Sequence, residues 1–396
     1  MYARKPMSEI EVQLLEEKYL DGYHTVRSLT YNSGNPIPPE RQWTGKPGAF
    51  SMVAISNGQV SGSATVLELT ATRGEAVLKC GGVCGVAVLP EMRKSGVGSA
   101  MMTWLVRHLR ETGTPLASLY AFREPYYRKF GYELTGSPFK ITCPTHRWPK
   151  TTCTLPIQRL GPTDWRQLVD CYTKFAHSRS GLNIRSESEW QRVLGENRPL
   201  TIYAIGEPVE AYAVVSHVTT FWTTDHISEV AWSSRSGYDG LLSMLGGLAI
   251  NKSGLSWREP SDGIFFGEYM DEGIEVKLER PIMFRVTDVP AALRLLKPHS
   301  PETGEFVLQI HDAIVPENEG PWKVSFGGGH VTVELAANGE SPDLTMDIKK
   351  FAQAFMGEPS LTQLAASESI QYESLEGFAA ATRLMPAQAT YCMDFF

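Results

Sequence analysis

Between Val86 and Ser99 a β-prone apolar run (Val86-Ala87-Val88-Leu89) stops at Pro90, crosses a basic loop and enters an amphipathic helix. A strand that feeds a helix through a short loop points to an α/β layer, in which each element buries its apolar side against the other. The same stretch suits a pyrophosphate. A helix N-terminus leaves several N–H groups without partners, and its dipole favours an anion. Gly96 and Gly98 let the backbone approach phosphates without a Cβ in the way, and Arg93 and Lys94 add positive charge beside them. Glycine-containing strand-to-helix turns also occur with no ligand, so the motif alone leaves both readings open. It is neither GxxxxGK[ST] nor GxGxxG, which makes a nucleoside triphosphate or dinucleotide a poor fit.

The flanking sequence extends the α/β pattern. Ile10, Val12 and Leu14 alternate as in a strand. From Glu17 to Thr30 apolar residues recur every three or four positions, with Arg27 interrupting the apolar face of the predicted helix. Asn57-Gly58 between two β-prone runs predicts a hairpin over Phe50–Thr70. A strand is expected from about Leu78 to Leu89. A helix follows over Gly98–Thr112, with Ala100, Met101, Trp104, Leu105 and Leu109 on one face, Gly113 as C-cap and Pro115 beyond. Leu116–Phe122 reads as a buried strand. Prolines at 138, 144, 149 and 156 then break the pattern, and Asp288-Val289-Pro290 breaks it again. These breaks suggest three domains, 1–146, 147–290 and 291–396, in keeping with roughly 150 residues per domain.

Composition excludes several classes. A net charge of −7 and a pI near 5.8 argue against nucleic-acid binding. No apolar run reaches the length of about 18 residues expected of a membrane-spanning helix, and the N-terminus does not read as a secretory signal. Six scattered cysteines without a CxxC pair fit a reduced, cytoplasmic protein. The nine histidines form no HExxH or paired-ligand pattern, so no metal is expected.

V-x-V-x-P-x-x-R-x-x-G-x-G, as Val86 to Gly98 spell it, resembles the acetyl-CoA signature of the GNAT superfamily of N-acetyltransferases. Glu124-Pro125-Tyr126-Tyr127-Arg128-Lys129-Phe130-Gly131-Tyr132 resembles a segment of its Eis (enhanced intracellular survival) branch. Arg280-Pro281-Ile282-Met283-Phe284-Arg285-Val286 is similar to that branch's junction into the C-terminal domain. Pro342-Asp343-Leu344-Thr345-Met346-Asp347 resembles its sterol-carrier-protein-like domain, and Tyr391-Cys392-Met393-Asp394-Phe395-Phe396 its aromatic end. The resemblance implies an α/β (α+β) chain with tandem acetyltransferase-like domains, the second degenerate and lacking a further R-x-x-G-x-G, then a sterol-carrier-like domain. It implies a homohexamer that moves acetyl from acetyl-CoA to a primary amine of an aminoglycoside-like compound or a lysine side chain. The alternative is a non-catalytic acyl-CoA or lipid carrier.

By the same resemblance, backbone groups of Val86, Ala87 and Val88 hold the thioester and pantetheine arm. Arg93, Lys94, Ser95, Gly96, Val97, Gly98 and Ser99 hold the pyrophosphate, and Phe122 and Arg123 at the end of the next strand add contacts. Tyr127 matches the general acid, with Tyr126 as the alternative. A phenol, with an ordinary pKa of about 10, holds its proton at neutral pH. The α-carboxylate of Phe396 matches the base. The acceptor walls are expected from the N-terminal helix, the Ser33–Gly48 loop with Trp43, and the tail, and Gly85, an aromatic in some relatives, is expected to widen or reshape the pocket.

Overall fold

The computed structural model describes residues 10–38, 42, 44–195, 200–216, 223–299, 301–394 and 396, so Trp43 and Phe395 lie outside the described residues. The first sheet opens with β1 (Ile10–Leu14), followed by helix α1 (Leu20–Tyr31) and by β2 (Ala49–Ser56) antiparallel to β1. Asn57 and Gly58, at φ 52° and 74°, turn β2 into β3 (Gln59–Arg73), the paired positive φ that this hairpin turn needs. β4 (Ala76–Val88), helix α2 (Val97–Glu111) and β5 (Leu116–Leu119) form a strand–helix–strand unit in which β4 and β5 are parallel. α2 buries Val97, Met101, Met102, Leu105, Val106 and Leu109, and each such side chain contributes about 1.5–3 kcal/mol on leaving water. Helix α3 (Glu124–Arg128) and β6 (Glu133–Leu134) follow.

The second sheet contains β7 (Phe139–Pro144), β8 (Ile157–Leu160), β9 (Leu200–Ile205), β10 (Ala211–Ser216), β11 (Thr224–Trp232), β12 (Gly254–Glu259) and β13 (Glu275–Leu278), in the order β13-β7-β12-β11-β10-β9-β8. Its helices are α4 (Val169–His177), α5 (Glu187–Leu194), α6 (Arg235–Ala249) and α7 (Ile264–Glu268). β11, α6 and β12 repeat the parallel strand–helix–strand unit of β4, α2 and β5. The chain then returns to the first sheet, where β14 (Met283–Val286) slots between β5 and β6.

The sheets do not follow the expected division at residues 146 and 290 strand for strand. β7 already belongs to the second sheet, and β14 belongs to the first. All four residues of β14 are buried, so the slot between β5 and β6 is filled by an apolar run with Arg285 inside it. The Arg285 guanidinium meets Asp312 at 2.5 Å, tying the first sheet to the C-terminal portion. The expected strand to Phe122 likewise stops at Leu119, where pairing with β14 ends, and Phe122 is 67% exposed.

The C-terminal portion has helix α8 (Val289–Arg294), β15 (Gly304–His311), β16 (Trp322–Gly327), β17 (His330–Leu335) and β18 (Leu344–Asp347), then helices α9 (Ile348–Met356) and α10 (Leu361–Ala366), β19 (Gln371–Tyr372) and helix α11 (Leu375–Leu384). The strand order is β17-β16-β15-β18-β19. Among the described residues no helix is long and apolar enough to cross a membrane. All six cysteines are free thiols.

Candidate active site

β4 carries a bulge. Thr65 of β3 faces Cys84 while Ser63 faces Ala87, so β4 has one residue more than its partner here. The extra residue sits at Gly85–Val86, and Gly85 adopts φ 59°, the glycine-tolerant conformation a bulge exploits. A Cβ on Gly85 would stand 2.1 Å from Arg27 Nη1. The space beside Gly85 is therefore filled by the Arg27 head. Arg27 is buried, lies over the rings of Tyr23 and Tyr31 and touches Thr65 Oγ1 at 3.4 Å. The Tyr31 hydroxyl donates to the Val86 carbonyl at 2.7 Å.

β4 pairs with β5 only across Cys80–Gly82, yet continues to Val88. The two parallel strands part, and among the described residues no strand pairs the β5-facing edge of β4 from Val83 to Val88. An edge of unpaired N–H and C=O groups accepts another extended chain, and Val86, Ala87 and Val88 occupy it.

The loop after β4 ends in α2. Lys94 and Gly96 have φ 65° and 99°, and Gly96 is the N-cap without any side-chain cap bond. The first-turn N–H groups of Val97, Gly98 and Ser99 are thus left without a capping side chain. Arg93, Lys94, Ser95, Gly96 and Ser99 are exposed around them, while Val97 is buried as the anchor. Gly98 is a true close approach, because a Cβ there would meet the Tyr126 hydroxyl at 2.5 Å.

The second layer unit differs at the same turn. Ser234 Oγ accepts from Gly237 N at 2.9 Å, and the Glu210 carboxylate takes bonds from Ser234 and Ser236. At this second turn a capping side chain and a carboxylate already stand at the helix start.

Tyr126 and Tyr127 part company on α3. Tyr126 reaches toward Gly98. Tyr127 is buried, ringed edge-on by Phe122, Tyr126 and Tyr132 at 5.9, 5.0 and 6.3 Å. Burial, with smaller contributions from Tyr31 and Tyr126, holds its phenol well above the ordinary tyrosine range. Among the described residues none hydrogen-bonds its hydroxyl. Arg123 is exposed at the start of α3.

The tail is pinned rather than frayed. Tyr391 N bonds Ser180 O at 2.9 Å, Thr390 N bonds Glu358 Oε2 at 2.9 Å, and Tyr391 is buried in the second domain's core. Asp394 is 2% exposed and meets Arg185 at 3.1 Å, with Arg192 3.9 Å away. Arg185 also grips Glu229 through both terminal nitrogens, at 2.9 and 2.7 Å. Beyond this anchor the Phe396 ring lies beside Gly82 of β4 and Tyr120, just past the end of β5. A Cβ on Gly82 would stand 3.2 Å from the Phe396 ring, and the ring packs edge-on against Tyr120 at 5.6 Å. Phe396 and Tyr127 thus touch residues two apart on one segment, Tyr120 and Phe122.

Arg27, Tyr31, Tyr120 and the Arg185–Asp394 anchor were not among the sequence candidates. Arg27 left a visible trace as the charge breaking the apolar face of α1. The others carried none, because their roles depend on contacts far apart in the chain.

Residues 11–135 match the family described as an acetyltransferase (GNAT) domain, and residues 289–393 match the sterol carrier protein domain. An uncharacterised N-acetyltransferase of Streptomyces avermitilis is 24% identical over 321 residues, covering 75% of this chain and 77% of that protein. The N-acetyltransferase Eis of Mycobacterium tuberculosis is 24% identical over 336 residues, covering 79% of this chain and 80% of that protein. Among solved structures, a conserved protein of Enterococcus faecalis described as a probable N-acyltransferase superposes with a TM-score of 0.85 at 22% identity, over 98% of this chain and 100% of that one. Eis1 from Mycobacterium abscessus superposes at 0.77 and 18% identity, again over 98% and 100%.

Proposed function

Starting from its place among the Eis-type N-acetyltransferases of the GNAT superfamily, we propose that this chain moves an acetyl group from acetyl-CoA to a primary amine, on an aminoglycoside-like small molecule or a lysine side chain. The observation that supports the reading is the parting of β4 from β5, with a bulge in β4, an uncapped helix N-terminus at the end of the following loop and the Phe396 ring packed beside Gly82 and Tyr120. In this proposal the pantetheine arm lies along Val86–Val88 as a surrogate strand, and the pyrophosphate sits on Lys94–Ser99 with Arg93 beside it. Phe122 and Arg123 border the arm from the far side.

The neutral amine attacks the thioester carbonyl carbon. Backbone N–H groups at the bulge take the developing oxyanion, with no reorganisation needed at the moment of reaction. The C–S bond breaks, the nitrogen's proton passes to the Phe396 carboxylate, and Tyr127 donates toward the sulfur as negative charge builds there. A phenol raised this far keeps its proton until then. Arg27 beside the bulge disfavours a second positive charge, which helps the amine stay neutral.

The test is release of free thiol from acetyl-CoA with a panel of primary amines, for the native chain, Tyr127→Phe and a chain extended by a few residues past Phe396. Native turnover that both changes abolish supports the mechanism. An extended chain as active as the native one ends the role given to the terminal carboxylate. The proposal extends to a homohexamer in the cytoplasm, for which sedimentation of the purified chain is the check on assembly.

A further inference from the structure

A cavity of about 640 Å3 lies where Tyr120 and Phe122, the tail residues Thr390–Met393, and the second sheet meet. Its walls have an unexpected charge. Lys140, Arg258, Lys277 and Arg280 line it, against one carboxylate, Glu279, in a chain whose net charge is −7.

Three of these cations form a row set by strand register. Arg258 of β12 stands directly opposite Lys140 of β7, and Lys140 directly opposite Lys277 of β13. Their neighbours Trp257 and Ile141 are buried in the second domain's core, so the row lies on the opposite face of the sheet. Like charges directly opposite destabilise a sheet, and a single such pair would be unremarkable. Two in succession on the wall of a cavity call for a counter-charge.

The partners present are few. Arg258 pairs with Glu279, Lys277 with Glu275 at 2.8 Å and Arg280 with Glu124 at 3.0 Å. The side chains of Arg258, Lys277 and Arg280 are half-exposed or more in these pairs, and pairs of that kind are weak and easily rearranged. Lys140, in the middle of the row, has no carboxylate partner among the described residues. His226 on β11 feels the same field: burial first, then Arg258 and Lys140, push its imidazole below the ordinary value.

The cavity also touches the reaction site. Tyr120 packs on the Phe396 ring, and Phe122 on the Tyr127 ring. Resting on the acetyl-transfer reading, we propose that this cavity receives the body of the acceptor and that the Lys140–Arg258–Lys277 row binds a carboxylate or phosphate carried by it. The acceptor class is then an amine that also bears an anionic group, which narrows the acceptors proposed above away from polycationic aminoglycoside-like compounds. Lys140 is a specificity-determining residue in this scheme and takes no part in the chemistry.

Two matched pairs test this, each differing by the anionic group: L-lysine against cadaverine, and glucosamine 6-phosphate against glucosamine. The first pair reports a carboxylate and the second a phosphate. In thiol-release assays on the full chain, kcat/KM is expected to be at least about tenfold higher for the anionic member of one pair, equivalent to about 1.4 kcal/mol. Lys140→Glu is expected to invert that preference, and Lys140→Ala to reduce it. Equal or lower values for both anionic members, with the counterparts lacking the anionic group acetylated, overturn the inference and leave the transferase reading intact. If none of the four is acetylated, the reading of these acceptors fails and calorimetry decides the cavity separately. Glucosamine 6-phosphate binding tighter than glucosamine, and lost in Lys140→Glu, supports the anion site. No binding of the phosphate ester overturns it.

Discussion

Gly85→Ala probes the shape of the bulge most directly. Gly85 sits at φ 59°, where a residue with a Cβ loses about 1–2 kcal/mol. The added carbon would stand 2.1 Å from Arg27 Nη1 and 3.0 Å from its Cζ, so the guanidinium must leave its place over Tyr23 and Tyr31. Forcing a carbon into a filled interior adds about 1–3 kcal/mol, for a total of about 2–5 kcal/mol. Most of the second contribution belongs to Arg27. In an Arg27→Ala background the same substitution is therefore expected to cost only the backbone part, about 1–2 kcal/mol. The coupling between the two positions is then about 1–3 kcal/mol, well above the ~0.3–0.5 kcal/mol within which independent sites add. Urea denaturation of the four proteins measures it, using the transition in which the first sheet unfolds, with slopes compared to confirm a common unfolding step. Additivity within about 0.5 kcal/mol would show that the Arg27 head does not occupy the space beside Gly85.

Tyr127→Phe is expected to lower kcat by ~10²–10⁴. Because burial raises this phenol, its deprotonation should not limit native activity below its ordinary value of about 10; a basic limb near neutrality that vanishes in Tyr127→Phe would contradict the assignment. Gly98→Ala is expected to raise the KM for acetyl-CoA about tenfold, or about 1.4 kcal/mol, because its new methyl group displaces the Tyr126 hydroxyl onto the helix N-terminus. Tyr126→Ala should restore much of that loss, and a KM unchanged by Gly98→Ala would count against the cradle. Burial pushes the Cys84 thiol up to about 11, so its alkylation by iodoacetamide should be slow at pH 8 and quicken about tenfold per pH unit toward 10. Rapid labelling at pH 7, followed by peptide mass spectrometry, would place Cys84 in a different environment.

What could be read in advance was local. The Asn57-Gly58 turn, the apolar stripe of α2 and the glycines of the loop before it each act within a few residues, and their period or φ preference is written in the adjoining sequence. The Eis-type resemblance carried the domain order and singled out the terminal residue. Long-range matters were not legible. Nothing near Gly85 says that a guanidinium from α1 stands beside it, and nothing in Met283–Val286 says that these residues return to a sheet begun far upstream. The end of β5 was misplaced for the same reason: Tyr120–Phe122 is apolar enough for a strand, but its ladder partners have already turned away. The basic row is a register effect, visible only once β7, β12 and β13 lie side by side.

The insertion of β14 has a bearing on how such a protein is made. The sheet that carries β4 and β5 is interrupted until Met283–Val286 emerges from the ribosome, so a nascent chain that has released β4, α2 and the loop between them still lacks an interior rung. Cutting the gene after the first sheet's obvious strands would leave an open seam beside β5. The acetyltransferase layer therefore cannot be lifted out as a portable module; it is closed by a segment translated after the whole neighbouring sheet.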